Sequence, residues 1–179
     1  MPLTVWRTVT AGAGLSESYL LQKLNTDGCE VEKEALEYIR NSVFRRTSRV
    51  RKEVDFALLT VAELGLIRGT FQEIMDSARK LGLQTCSVEE ALLLRLVDCK
   101  QEMGDEDVEL IPLAMEPVWT TYQHSSSKPS VLCLAGGAAS VTSKRELAVR
   151  HFSCTTADGK ILHDGELEDR WAFVLPREK

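Results

Sequence analysis

The sequence predicts an α+β fold in which N-terminal helices pack on a mainly antiparallel C-terminal sheet. Two observations carry this expectation. Up to about residue 91, apolar residues recur at helical spacing behind recognisable caps. From Leu92 onward the pattern shifts towards period two, broken by short turn-forming clusters. Runs of helices followed by runs of strands define the α+β class. With 179 residues the chain fits one domain, 1–179, with a helical part over about 1–91 and a sheet-rich part over about 92–179. A chain of this size buries roughly 70% of its unfolded surface, so it needs no staples.

Ser16 is placed to cap a short helix with Leu20, Leu21 and Leu24 inward, ended by Asn25 to Gly28. A second helix from about Val31 puts Val31, Ala35, Tyr38 and Ile39 on one stripe, with Glu32, Lys33, Glu34 and Glu37 outward, and can run on through Val43 and Phe44. The apolar, β-branched stretch Val54 to Val61 reads as a strand or a buried connector. Thr70-Phe71-Gln72-Glu73 is a capping box, followed by Phe71, Ile74, Met75, Ala78 and Leu81 at helical spacing and by Gly82 as a left-handed stop. Together they predict a helix over 70–81. Ser87-Val88-Glu89-Glu90 is a second box opening another helical turn or two. Strands are predicted over 92–98, 108–115, 118–123, 131–135, 147–153 and 170–175. Gly104-Asp105, the polar stretch Ser125 to Ser130 and Gly136-Gly137 serve as turns. Asp158-Gly159 is a two-residue hairpin signal between Phe152-Ser153-Cys154 and Lys160-Ile161-Leu162.

The segments Thr60-Val61-Ala62-Glu63-Leu64-Gly65, Ala78-Arg79-Lys80-Leu81-Gly82-Leu83 and Cys86 form part of a wider pattern. Glu90, Leu94-Arg95-Leu96, Ala114-Met115-Glu116-Pro117 and the closing Asp169-Arg170-Trp171-Ala172-Phe173-Val174 complete it. The pattern resembles a group of small bacterial α+β proteins of uncharacterised activity. The similar part runs from about Val54 to Val118 and over the last eleven residues, while Trp119 to Glu168 departs from it. The resemblance implies a shared fold and a bacterial source, and transfers no mechanism, because most matching positions are capping and core residues.

The composition, 44% hydrophobic and 27% charged, is that of an ordinary globular protein and argues against disorder. A net charge of −5 argues against a nucleic-acid protein with a wholly basic surface. The start of the chain shows no signal peptide, and no apolar run approaches the ~20 residues that a bilayer crossing needs. Cys29, Cys86, Cys99, Cys133 and Cys154 show no CxxC spacing and mostly occupy apolar contexts, which points to a reducing, cytoplasmic setting.

Against the acidic total stands a basic run. Arg45, Arg46, Arg49, Arg51 and Lys52 fall within eight positions that contain no acid. Such a run binds phosphates of nucleic acid or an acidic protein surface, or else is solvated and pairs with the chain's own carboxylates. No aromatic RNA-binding motif accompanies it. His151, Cys154 and His163 flank the predicted hairpin and carry zinc-ligand chemistry. However, strand alternation separates His151 from Cys154 unless a bulge intervenes, and no fourth protein ligand is evident. A Cys–His nucleophilic pair lacks any cationic neighbour or helix N-terminus to lower a thiol pKa. No G-x-S-x-G elbow is present, and Gly136-Gly137 lacks the order of a phosphate loop. The acidic groups Asp105-Glu106-Asp107-Glu109 and Asp164-Glu166-Glu168-Asp169 do not follow calcium-loop spacing. Trp6, Trp119, Tyr122, Trp171 and Phe173 are expected in the core. No catalytic residue and no cofactor follow from these patterns. They point to a soluble binding or protein-interaction module, with two alternatives: a nucleic-acid accessory protein using the basic run, or a small metal-dependent enzyme built around 151–163.

Overall fold

A computed structural model describes residues 3–12, 14–42, 50–98, 109–122, 126–136, 146–154, 161–162 and 169–177. The described elements run β1 (Arg7–Ala11), α1 (Glu17–Thr26), β2 (Glu30–Val31), α2 (Lys33–Asn41), β3 (Lys52–Thr60), α3 (Phe71–Lys80) and α4 (Val88–Asp98). They continue with β4 (Glu109–Pro112), β5 (Val118–Tyr122), β6 (Ser126–Gly136), β7 (Glu146–His151), β8 (Ser153–Cys154), β9 (Ile161–Leu162) and β10 (Arg170–Leu175). The class is α+β, with the N-terminal helices on a sheet-rich C-terminal region.

The helix starts follow their caps. Ser16 Oγ accepts the Tyr19 N–H at 3.2 Å to begin α1. At α3 the Thr70 hydroxyl receives the Glu73 N–H, and the Glu73 carboxylate receives the Thr70 N–H at 2.8 Å. The helix then closes at Gly82, whose φ of +81° a side chain would resist. Val31 belongs to β2, paired in parallel with Leu147, so α2 begins two residues later than its apolar stripe suggests and ends at Asn41. The proposed continuation through Val43 and Phe44 lies outside the described residues.

The second capping box opens a full helix, and the strand expected at 92–98 is its continuation. Ser87 and Glu90 nucleate α4, and Ala91, Leu92, Leu94 and Arg95 are all buried. A helix buried on most sides loses its polar stripe, and with it the 3.6-residue signal. Buried Arg95 donates to the Ala135 carbonyl at 3.2 Å, fastening α4 to the end of β6.

Three strands lie in the half that reads as helical, and two of them join the last strand of the chain. β3 is the centre of a three-stranded antiparallel sheet, with β1 on one side and β10 on the other. Asp55 on β3 takes a bidentate pair from Arg177 at 2.6 and 2.8 Å and the Thr8 hydroxyl at 2.6 Å, and these donors hold its carboxyl below the usual range. Arg177 also pairs with Glu53, which ties the last described residue to β3.

The second sheet runs β2-β7-β6-β4, with β5 also on β6. β6 begins at Ser126, so the stretch Ser125 to Ser130 expected as a turn is mostly strand. Pro129 within it is tolerated because the ladder on its far side is already interrupted, at Phe152 between β7 and β8. The Pro129 carbonyl still accepts the Phe152 N–H at 2.9 Å. Beyond that break β8 pairs with β9, Cys154 opposite Ile161. The antiparallel pairing expected there is present. Residues 155–160, with Asp158-Gly159 among them, lie outside the described residues, as does Gly104-Asp105.

The two sheets meet at an irregular edge. β4 and β5 pair with successive parts of β6, but residues 113–117 between them face only Val131 and Leu132. The surplus chain swings across to the first sheet. Leu113 N–H still bonds the Leu132 carbonyl, while Ala114 N–H bonds the Ala172 carbonyl of β10, both at 2.9 Å. Phe71, Phe152 and Trp171 form a buried aromatic cluster, with ring centroids 5.2 to 6.3 Å apart. Trp171 and Phe173 fill the core as expected, whereas Trp119 on the β5 edge is 54% exposed. Trp6 is partly buried beneath the Arg7 guanidinium, and the Tyr122 side chain lies outside the description. Among the described residues no helix is long and apolar enough to cross a membrane.

The packing predicts a clear ranking of two substitutions. Trp171→Ala removes a fully buried ring and is expected to cost about 3–5 kcal/mol. Thr70→Ala removes one exposed cap and is expected to cost about 1 kcal/mol. Urea unfolding of both variants checks the order; equal losses would contradict the placement of the core.

Candidate functional site

The swing of residues 113–117 opens a cleft of about 650 Å³. Its apolar walls are Val88, Met115, Val118 and Val174, and its polar lining comes from the end of α2, the start of α4 and Lys52 on β3. Local hydrogen bonds build each wall. Gln84 and Val174 exchange two main-chain bonds at 2.9 Å, and Cys86 N–H bonds the Ala114 carbonyl at 2.7 Å. From α2 the Tyr38 hydroxyl donates to the Glu116 carbonyl at 2.5 Å, and Asn41 Nδ2 reaches the Trp119 carbonyl at 3.4 Å.

The ionisable groups of the lining are largely engaged by the fold. Glu90 Oε2 accepts both the Ser87 N–H at 2.7 Å and the Ser87 hydroxyl at 2.9 Å, and Lys52 Nζ lies 2.9 Å from Glu90 Oε1. Glu89 is only 3% exposed, and its Oε1 accepts the Gly12 N–H at 3.1 Å. Burial pushes the Cys86 thiol far above its ordinary pKa, and the charge of Glu90 adds to the effect. Burial does the same to the Tyr38 hydroxyl. Both groups are therefore protonated at neutral pH.

Of the basic run, Arg45, Arg46 and Arg49 lie outside the described residues. Arg51 is exposed, and Lys52 is paired with Glu90 across the cleft wall. Of the cleft residues, Ser42 precedes this run in sequence and Lys52 ends it. Of the three residues considered as zinc ligands, His151 is described in full, Cys154 by its backbone in β8, and His163 not at all. The strand pattern is interrupted at Phe152, between His151 on β7 and Cys154 on β8. His151 Nδ1 lies 2.8 Å from Ser130 Oγ, which in turn meets Thr120 Oγ1 at 2.8 Å. Ser130 is wholly buried, so the pair is closed to a substrate. Among the described residues no three His, Cys, Asp or Glu side chains converge as a metal-ligand group.

The cysteines divide. Cys86 and Cys133 are free and buried, as their apolar contexts predict, whereas Cys29 is disulfide-bonded. A disulfide does not accord with the reducing setting that the cysteine spacing suggests. The cleft residues Glu89, Met115 and Val118 were not singled out as a site by sequence reasoning. The capping box marks Glu90, but nothing local reveals that residues 113–118 pass beside it. Comparison with models of known protein families, with curated proteins and with solved structures finds no match for the chain.

Burial lowers the pKa of His151, and the charge of Lys128 adds to this, while Glu34 and Glu37 of α2 oppose it. The folded state therefore binds the proton less readily than the unfolded chain. Stability from this group is complete above the unfolded value near 6.5 and falls as pH drops through the window below it. An NMR titration of the imidazole is expected to give a midpoint below 6.5, and His151→Gln to flatten the stability profile in that window. A midpoint at or above 6.5 would contradict the buried arrangement.

Proposed function

We propose that this chain is a protein-binding module that receives an exposed segment of a partner in the cleft between α2, α4 and residues 113–118. One observation carries the reading: the cleft is open and has an apolar stripe of Val88, Met115, Val118 and Val174, while most ionisable groups of its described lining are bonded within the fold. Cys86 and Tyr38 are held protonated, and Glu90 is committed to Ser87 and Lys52, so that among the described lining residues no acid and base stand paired for turnover. Apolar walls with a few fixed polar groups suit recognition of a side chain. The exposed Trp119 beside the cleft adds an aromatic of the kind that anchors interfaces. Arg45, Arg46, Arg49 and Arg51 follow the cleft residue Ser42 in sequence and carry the charge to attract an acidic stretch of the partner. A nucleic-acid role for that run is the competing reading.

The test compares native protein with Val118→Arg, checked to be folded, as baits in an extract of the source organism. A discrete set of proteins retained by the native chain and reduced at least tenfold on the variant is expected. Identical sets on both baits would contradict the proposal. Nucleic-acid binding with a steep salt dependence, abolished by changing Arg45, Arg46, Arg49 and Arg51 to Glu, would replace it.

A further inference from the structure

The main-chain directions of β5 follow from those of β6, the strand with which it pairs. In a strand the N–H and C=O of one residue point to the same side, and successive residues alternate. The Pro129 carbonyl accepts the Phe152 N–H at 2.9 Å, so Pro129 faces the side of β7. The Leu132 carbonyl accepts the Leu113 N–H, so the even-numbered residues of β6 face the other side, that of β4 and β5. Val118, Thr120 and Tyr122 lie opposite Ser130, Lys128 and Ser126, and these three therefore bond the ladder. Trp119 and Thr121 lie opposite Pro129 and Ser127, and direct their main-chain groups away from β6. The contact of the Trp119 carbonyl agrees, since it is the Asn41 side chain of α2, at 3.4 Å. Among the described residues β5 pairs only with β6, and no acceptor takes the Trp119 N–H. An edge that presents main-chain groups at every second residue is a template for an extended chain. The Trp119 ring is exposed, on the face of β5 opposite buried Thr120, where it can cover a side chain of an added strand. The charge beside this edge is basic. Arg40, next to Asn41, is exposed, and Arg45, Arg46, Arg49 and Arg51 follow Ser42 in the sequence.

We propose that the outer edge of β5 takes an extended, acidic segment of a partner protein as an added β-strand, paired through the main chain of Trp119 and Thr121. This rests on the reading of the cleft as a protein-binding surface and names the mode of recognition. The edge starts at Val118, which lines the cleft, so a segment paired with Trp119 and Thr121 continues directly from it. Main-chain pairing supplies affinity with little regard to sequence, and the neighbouring cations favour a segment that carries carboxylates.

The experiment titrates the full chain with the peptide acetyl-Glu-Val-Thr-Val-Thr-Glu-amide and follows it by two-dimensional NMR. Two control peptides carry N-methyl groups on the two central residues, or lysine in place of both glutamates. In the free protein the Trp119 and Thr121 amides are expected to exchange at least tenfold faster than that of Thr120. Saturable shifts at these two amides are expected with the first peptide. Binding is expected to be at least tenfold weaker with the N-methylated peptide, and at least threefold weaker with the lysine peptide at low salt. Thr121→Pro removes an N–H that takes no part in the β6 ladder, so the fold is kept and binding is expected to weaken at least tenfold. Equal binding of the first peptide and either control, equal protection of Trp119 and Thr120, or no binding at 10 mM peptide would overturn the proposal. Dimerisation of the native chain that Thr121→Pro abolishes would give the edge to a second copy and overturn it as well. The peptide comparison needs only native protein, so it decides the matter even if Thr121→Pro fails to fold. Partner capture that depends on Val118 but survives Thr121→Pro would leave the protein-binding reading standing and remove this one.

Discussion

The arrangement depends on where the main-chain groups of residues 113 and 114 find their partners. Buried N–H and C=O groups must be paired, and an edge strand that runs out of register has to find new acceptors. Here Leu113 keeps its bond to β6, while Ala114 donates to Ala172 of β10 and accepts from Cys86. Three short hydrogen bonds thus couple two sheets and the entry to α4. A regular edge, with residues 113–117 matched one to one along β6, would remove the Ala114 link to β10.

The cleft is a consequence of that coupling. Because the chain leaves β6 at Leu113 and returns at Val118, it forms a wall opposite the start of α4. Tyr38 and Asn41 then fix the wall from the other side by holding the carbonyls of Glu116 and Trp119. The same bonds explain why the lining is short of reactive groups. Tyr38, Lys52 and Glu90 are fasteners between α2, α4, β3 and the crossing segment, and a group that fastens is not free to exchange protons with a substrate.

Local signals in the sequence are legible wherever the cause is local. The two capping boxes mark the starts of α3 and α4, and Ser16 marks α1, since each depends on residues three apart. The limits of β5 and β10 follow from apolar, β-branched and aromatic residues within a few positions. What is not legible depends on distant partners. β1 is too short and too mixed to declare itself, and it is a strand because Arg7 to Ala11 pair with β3. α4 looks like a strand from Leu92 because burial on most sides erases its polar face. The candidate site is hidden for the same reason. Gly12 and Glu89 are 77 positions apart, and Tyr38 and Glu116 are 78 apart, so no spacing rule connects them.

The crossing at residues 113–114 is the claim on which both fold and site stand, and native-state hydrogen exchange of assigned amides tests it most directly. The Ala114 N–H, bonded to Ala172, and the Cys86 N–H, bonded to Ala114, are predicted to exchange only through global unfolding. They should then share one opening free energy with the β3–β10 ladder. Exchange of these two amides by local opening, while β3 and β10 stay protected, would show that the segment does not join the sheets. The cleft would then have no fixed wall.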